Sequence, residues 1–109
     1  MNQAIKTNTS LRHIVMWTLK EEAEGRTKAE NMLKAREVLM SCAALVPGIE
    51  LFEVGLKSDG LDCTCDVILN SVFKDEAALT AYQNHPDHIA IKPFMKAIVA
   101  QRQCMDFWN

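Results

Sequence analysis

LRHIVMWTLK, residues 11–20, is the segment on which the fold turns. β-Branched and aromatic residues bounded by polar ones mark it as a strand. Side chains alternate across a strand, so Leu11, His13, Val15, Trp17 and Leu19 share one face, and Arg12, Ile14, Met16 and Thr18 the other. Both faces are largely apolar. An antiparallel sheet covered on one side only ordinarily turns a polar face to water. This strand therefore predicts cover on both sides: helices of its own chain on one, the sheet of a second copy on the other. A homodimer through sheet faces is the expected assembly.

The next segment, EEAEGRTKAENMLKAREVLMSCAALVPG (residues 21–48), sets Met32, Ala35, Leu39, Cys42 and Val46 three or four residues apart with charges between them. That spacing predicts an amphipathic helix of roughly five turns, starting near Thr27 and stopped by Pro47-Gly48. IELFEVGLK (49–57) alternates apolar and polar, and Ser58-Asp59-Gly60 predicts a turn into a second strand from Asp62 to Phe73, together a hairpin. Asp75 and Glu76 supply the acidic start of a short helix whose stripe is Ala78, Leu79 and Tyr82. Pro86 and Pro93 punctuate the segment after it. Residues 94–100 read as helix again and QRQCMDFW (101–108) as a last strand. The order β-α-β-β-α-α-β predicts an α+β, ferredoxin-like sandwich with an antiparallel four-stranded sheet. One domain is expected over residues 11–109, behind a flexible N-terminal lead of residues 1–10.

A chain of 109 residues is large enough for one hydrophobic core and too small for two. Its net charge of -2 and pI near 5.9 lack the basic footprint of nucleic-acid or anionic-membrane binding, so neither partner is expected. MNQAIKTNTS has neither a signal-peptide apolar region nor a membrane span, which leads to the expectation of a cytoplasmic protein. Four cysteines form no CxxC pair. Cys63-Thr64-Cys65 on the expected strand points two thiols to one face, an arrangement a soft metal accepts; small buried hydrophobes in a reducing compartment is the preferred reading. No metal and no cofactor are expected.

Two of the three histidines flank a proline in YQNHPDHIAI, residues 82–91. Pro86 suits the first position of a helix, where its missing N–H has no partner to lose. His85 then stands at the N-cap, a structural role. His88 falls on the first turn of the new helix, on the side of His85 but a turn further along; the helix N-terminus favours the neutral imidazole, a usable base, while Asp87 in the same turn acts in the opposite direction. His13 is a titratable group in an apolar row; if its face looks toward the helices, it shares a cavity with Tyr82 and His88. Tyr82 carries a phenol able to donate to a carbonyl. A three-histidine metal site is disfavoured, because no carboxylate or cysteine spacing supports it.

HIVMWTLK and YQNHPDHIAIKPFMKAIVAQRQCMDF together resemble the stress-responsive dimeric α/β-barrel (Dabb) family, with Y-x-x-H-P-x-H and the D-[FY] strand end as the more specific half. The resemblance covers about residues 11–108. It implies a ferredoxin-like protomer whose sheet packs on that of its twin to form a barrel. One branch of the family is similar to plant polyketide cyclases, which fold poly-β-keto chains by aldol chemistry without a cofactor. The resemblance carries that branch's tyrosine and histidines onto Tyr82, His88 and His13, with His85 and Pro86 structural. A further strand histidine of the branch has no counterpart in CTCDVILNSVF, where Val67 stands in about its place.

Three readings fit these residues. In the first, a pocket lined by His13, Val15, Trp17, Tyr82 and His88 binds a small hydrophobic ligand between sheet and helices. In the second, His88 is the base, Tyr82 the donor to an enolising oxygen and His13 an orienting group in an acid/base enzyme. In the third, the histidines satisfy corners of a structural dimer module. The first two require an open pocket reached by both His13 and His88.

Overall fold

The computed structural model describes residues 10–109; all of the expected N-terminal lead except Ser10 lies outside the described residues. Four long strands, β1 (Leu11–Leu19), β4 (Ile49–Leu56), β5 (Val67–Phe73) and β6 (Val99–Trp108), form one sheet in the order β4-β5-β1-β6. Every neighbouring pair is antiparallel. Three helices, α1 (Lys28–Met40), α2 (Glu76–Asn84) and α3 (Pro86–Ile98), accompany the sheet, and the whole is a ferredoxin-like α+β fold. Between β1 and α1 a two-stranded ribbon, β2 (Glu22–Ala23) and β3 (Arg26–Thr27), turns on Glu24 and Gly25, both at positive φ. Positive φ at both central residues is the mark of a tight hairpin turn whose twist matches its strands. The ribbon ends at Thr27, the expected helix start, and is too short to show an apolar alternation of its own.

The helix starts follow local chemistry. Thr27 caps α1 in a reciprocal capping box with Glu30. Asp75 caps α2 by accepting from the Ala78 N–H at 2.8 Å. The far end of α1 differs from expectation: the helix stops at Met40 instead of running to Pro47. The Ser41 hydroxyl donates to the Val38 carbonyl at 2.6 Å, and the next N–H groups, of Cys42 and Ala43, bond three residues back, to Leu39 and Met40. The ladder thus tightens into turns. Apolar spacing continues past the helix because those turns still pack inward, with Cys42 fully buried.

The expected hairpin is looser than a tight Ser-Asp-Gly turn. β5 begins at Val67, so residues 57–66 form a long connection, and Cys63 and Cys65 lie on it instead of on a strand. The alternation of a strand therefore does not hold these two thiols to one face. What anchors the loop is Asp66, 3% exposed, whose carboxylate accepts from the Leu19 N–H at 2.8 Å and pairs with Lys28 at 3.2 Å. α3 also runs unbroken through Pro93, contrary to the interruption expected at that proline. The ring forfeits the bond to the Ile89 carbonyl, but Met95 and Ile98 beyond it are buried in the core and hold the last turns in place.

One face of β1 is buried throughout, Leu11, His13, Val15, Trp17 and Leu19, and it meets the helices. Val15, Trp17 and Leu69 pack with Leu39 of α1 and Met95 and Ile98 of α3; Leu11, Cys42, Phe73, Leu79 and Tyr82 make a second cluster under α2. The opposite face is only partly covered. There Ile14, Met16 and Ile68 are partly buried, and Met105 and Phe107 of β6 are exposed at 64% and 36%.

Candidate functional site

His13 sits mid-sheet on β1, opposite Asp106 of β6 in the strand register, and is 5% exposed. Its Nδ1 lies 2.5 Å from Oδ1 of Asp106. A carboxylate only accepts, so Nδ1 carries the hydrogen and, in the neutral ring, Nε2 keeps the lone pair. The carboxylate thereby fixes both tautomer and orientation.

His88, on the first turn of α3, adopts the same tautomer by another route. Its Nδ1 lies 3.2 Å from the Gln83 carbonyl, to which it donates. Burial pushes its pKa below the usual histidine value; the bond to Gln83 opposes that shift, while the positive charges of Lys92, His13 and Arg102 add to it. The imidazole is thus neutral at physiological pH, with Nε2 as its basic atom.

The ring of Tyr82 stacks obliquely on His88, with centroids 4.5 Å apart, and packs on Phe73 at 5.2 Å and Phe52 at 5.9 Å. Its hydroxyl is buried without a hydrogen-bond partner among the described residues. Burial, with a smaller contribution from nearby Cys42, raises the phenol pKa well above its ordinary value, so the group is a neutral donor.

His85 does something else. It closes α2, opens α3 with φ -64° and ψ 135°, and its Nδ1 accepts from the Asp87 N–H at 3.0 Å. It is not among the residues that line the cavity between the sheet and α3, whereas His88 is. Pro86 follows as the first helical residue.

A cavity of about 1000 Å³ opens between the sheet and α3, lined by His13, Val15, Trp17, Tyr82 and His88, with Leu39, Leu69, Ile91 and Met95 as further apolar walls. Its volume is at the upper end of small-molecule sites. The buried floor comes from β1, β5 and α2, and the exposed rim from Ile89, Lys92, Pro93 and Lys96 on α3 and Arg102 on β6. Among the described residues no three His, Cys, Asp or Glu side chains are grouped to hold a metal. No described helix is long and apolar enough to cross a membrane.

Reading from sequence alone misses Asp106, which is 93 residues from His13. The signal was present in the D-[FY] strand end: pairing the first and last strands antiparallel puts Asp106 beside the histidine. It also misses the three rim cations, because charged residues on α3 and β6 look like an ordinary solvated surface until the cavity between them is seen.

A ferredoxin-like protomer with a polar-floored apolar cavity between sheet and helices defines the class. The chain belongs to the stress responsive A/B barrel domain family, Dabb, whose model matches residues 11–109. Among solved structures it is similar to a dimeric protein of unknown function and ferredoxin-like fold from Bacteroides fragilis, at 25% identity and TM-score 0.78, covering 93% of this chain and 97% of that one. A Dabb family protein with a ferredoxin-like fold from Mesorhizobium loti is 26% identical with TM-score 0.66, over 92% and 96% of the two chains. A dimeric ferredoxin-like protein of unknown function from Jannaschia is 25% identical with TM-score 0.67, over 92% and 99%. No curated protein matches the sequence.

Proposed function

We propose that the cavity between sheet and helices binds a small hydrophobic molecule bearing a polar oxygen. The observation that carries this reading is the convergence of His13, Tyr82 and His88, from β1, α2 and α3, on one apolar cavity of about 1000 Å³. Its walls favour an apolar body, while two oriented imidazoles favour an oxygen acceptor or donor at the inner end. Trp17 lines the cavity and the other tryptophan, Trp108, does not, so a Trp108→Phe variant gives a fluorescence signal from Trp17 alone. Titration with an aryl β-diketone is expected to change that signal saturably. An unchanged signal, with no heat of binding by calorimetry, sinks the proposal.

A second reading, acid/base catalysis on a carbonyl compound, is favoured by the His13–Asp106 pair and the neutral His88. His88 takes a proton α to the carbonyl through Nε2, Tyr82 donates to the oxygen that gains charge, and His13, held by Asp106, orients or relays. General acid–base help of this kind contributes ~10²- to 10⁴-fold. Deuterium exchange at the α carbon of the bound diketone tests it: exchange should collapse in His88→Ala while binding persists, and equal exchange in both proteins rejects it.

The assembly we propose is a homodimer formed through the open sheet face, two sheets closing a barrel. The half-covered apolar row of Ile14, Met16 and Ile68 supports it, as do dimeric relatives of the same fold. Size-exclusion with light scattering at micromolar concentration is expected to give twice the 12.3 kDa chain mass. We place the protein in the cytoplasm, where its four unpaired cysteines suit a reducing compartment.

A further inference from the structure

The rim of the cavity is cationic, and nothing described neutralises it. Lys92 and Lys96 stand one turn apart on α3, and Arg102 faces the same opening from β6. Among the described residues no Asp or Glu lines the cavity, and none of these three cations enters an ion pair, all of which involve His13 or Lys28. The acid that bonds His13, Asp106, is committed to that ring. Like charges four residues apart on a helix repel, so Lys92 and Lys96 disfavour each other unless an anion lies between or beside them. The field also reaches inside: Lys92 and Arg102 both act on His88. A cluster of one sign at the mouth of a low-dielectric cleft concentrates ligands of the opposite sign. This arrangement stands out in a chain whose net charge is -2.

We infer that the cavity takes an anionic amphiphile, a carboxylate on an apolar body, with the carboxylate held at the rim by Lys92, Lys96 and Arg102 and the apolar part against Val15, Trp17 and Met95. The inference rests on the proposal that the cavity binds a ligand at all, and it adds the charge and its place at the rim. The apolar body lies along Val15, Trp17 and Met95, between the rim and the inner imidazoles, which stay free for a second oxygen of the ligand. The anion stays at the mouth, where three cations surround it.

Decanoate and methyl decanoate share the tail and differ in the charge. Calorimetric titration of the intact protein with each is expected to show decanoate binding more tightly, with its advantage shrinking as salt rises. Each of Lys92→Gln, Lys96→Gln and Arg102→Gln is expected to weaken decanoate roughly two- to fivefold, the range of an exposed ion pair, and to leave the ester unchanged. All three side chains are exposed, so the variants retain the core. Equal or tighter binding of the ester, or variants that weaken both ligands alike, overturns the anionic assignment while leaving the cavity a binding site. Failure of both ligands to bind, in a protein that still binds the diketone, overturns the anionic assignment alone; failure of all three overturns the ligand-binding proposal with it.

Discussion

His13 and Asp106 meet side chain to side chain, Nδ1 to Oδ1 at 2.5 Å, across the pairing of the first and last strands. The imidazole is buried and the carboxylate is 42% exposed, so the bond is part dry and part wet. Screening on the exposed side holds its contribution to about 1 kcal/mol, below that of a fully buried charged bond. A double-mutant cycle with His13→Gln and Asp106→Asn, read by urea unfolding, should return a coupling of that size. Additive single effects would mean that the contact contributes nothing.

Tyr82→Phe removes a hydroxyl that is buried without a partner. Leaving such a group unpaired costs about 1–3 kcal/mol, so its deletion should raise unfolding stability by about 1 kcal/mol or leave it unchanged. The same change should weaken any ligand whose oxygen the phenol serves. Stability gained with affinity lost, measured on one preparation, separates a functional hydroxyl from a packing accident; a loss of stability would mean that the hydroxyl has a partner in solution.

Acid should expose the environment of His88. Its folded-state pKa lies below the ordinary value of 6.5, chiefly through burial. Below that ordinary value the unfolded chain takes up a proton that the folded chain resists, so unfolding gains. The contribution of His88 is therefore intact above pH 6.5 and is lost as pH falls through the lowered folded-state value. Urea unfolding compared at about pH 7.5 and about pH 5, on either side of the ordinary histidine value, should show a smaller acid loss in His88→Gln than in the parent. An equal loss in both proteins would place the acid sensitivity elsewhere.

The ribbon before α1 offers a stabilising change. Glu24 holds φ 55° beside Gly25 at φ 75°, and asparagine is the residue that tolerates the first of these best. Glu24→Asn should raise stability by about 0.5 kcal/mol without touching the cavity, checked by a thermal melt alongside ligand titration.

The element order is readable because each long element announces itself: β-branched and aromatic residues in β1, two-residue alternation in β4, a capping residue before each helix, Pro86 at a helix start. The interruptions are not. Apolar spacing carries past Met40 because turns bury residues as helices do, and Pro93 is overridden by buried residues beyond it, which only the packed core reveals. The candidate site is half visible. His13, Tyr82 and His88 stand out as chemically able residues on the right faces, whereas Asp106 becomes a partner only once strand register is known. Lys92, Lys96 and Arg102 gain meaning from a cavity that no local pattern encodes.

β6 carries Arg102 and Asp106 toward the cavity side and Met105 and Phe107 toward the open side, on alternating positions. A one-residue insertion or deletion just past the bulge at its start would exchange the two sets, turning the apolar pair into the pocket and the charged pair outward. Two residues would restore them. The run from Gln101 to Trp108, paired without a shift, is thus under a parity constraint: sequence drift within it is tolerable, but changes of length come only in even steps.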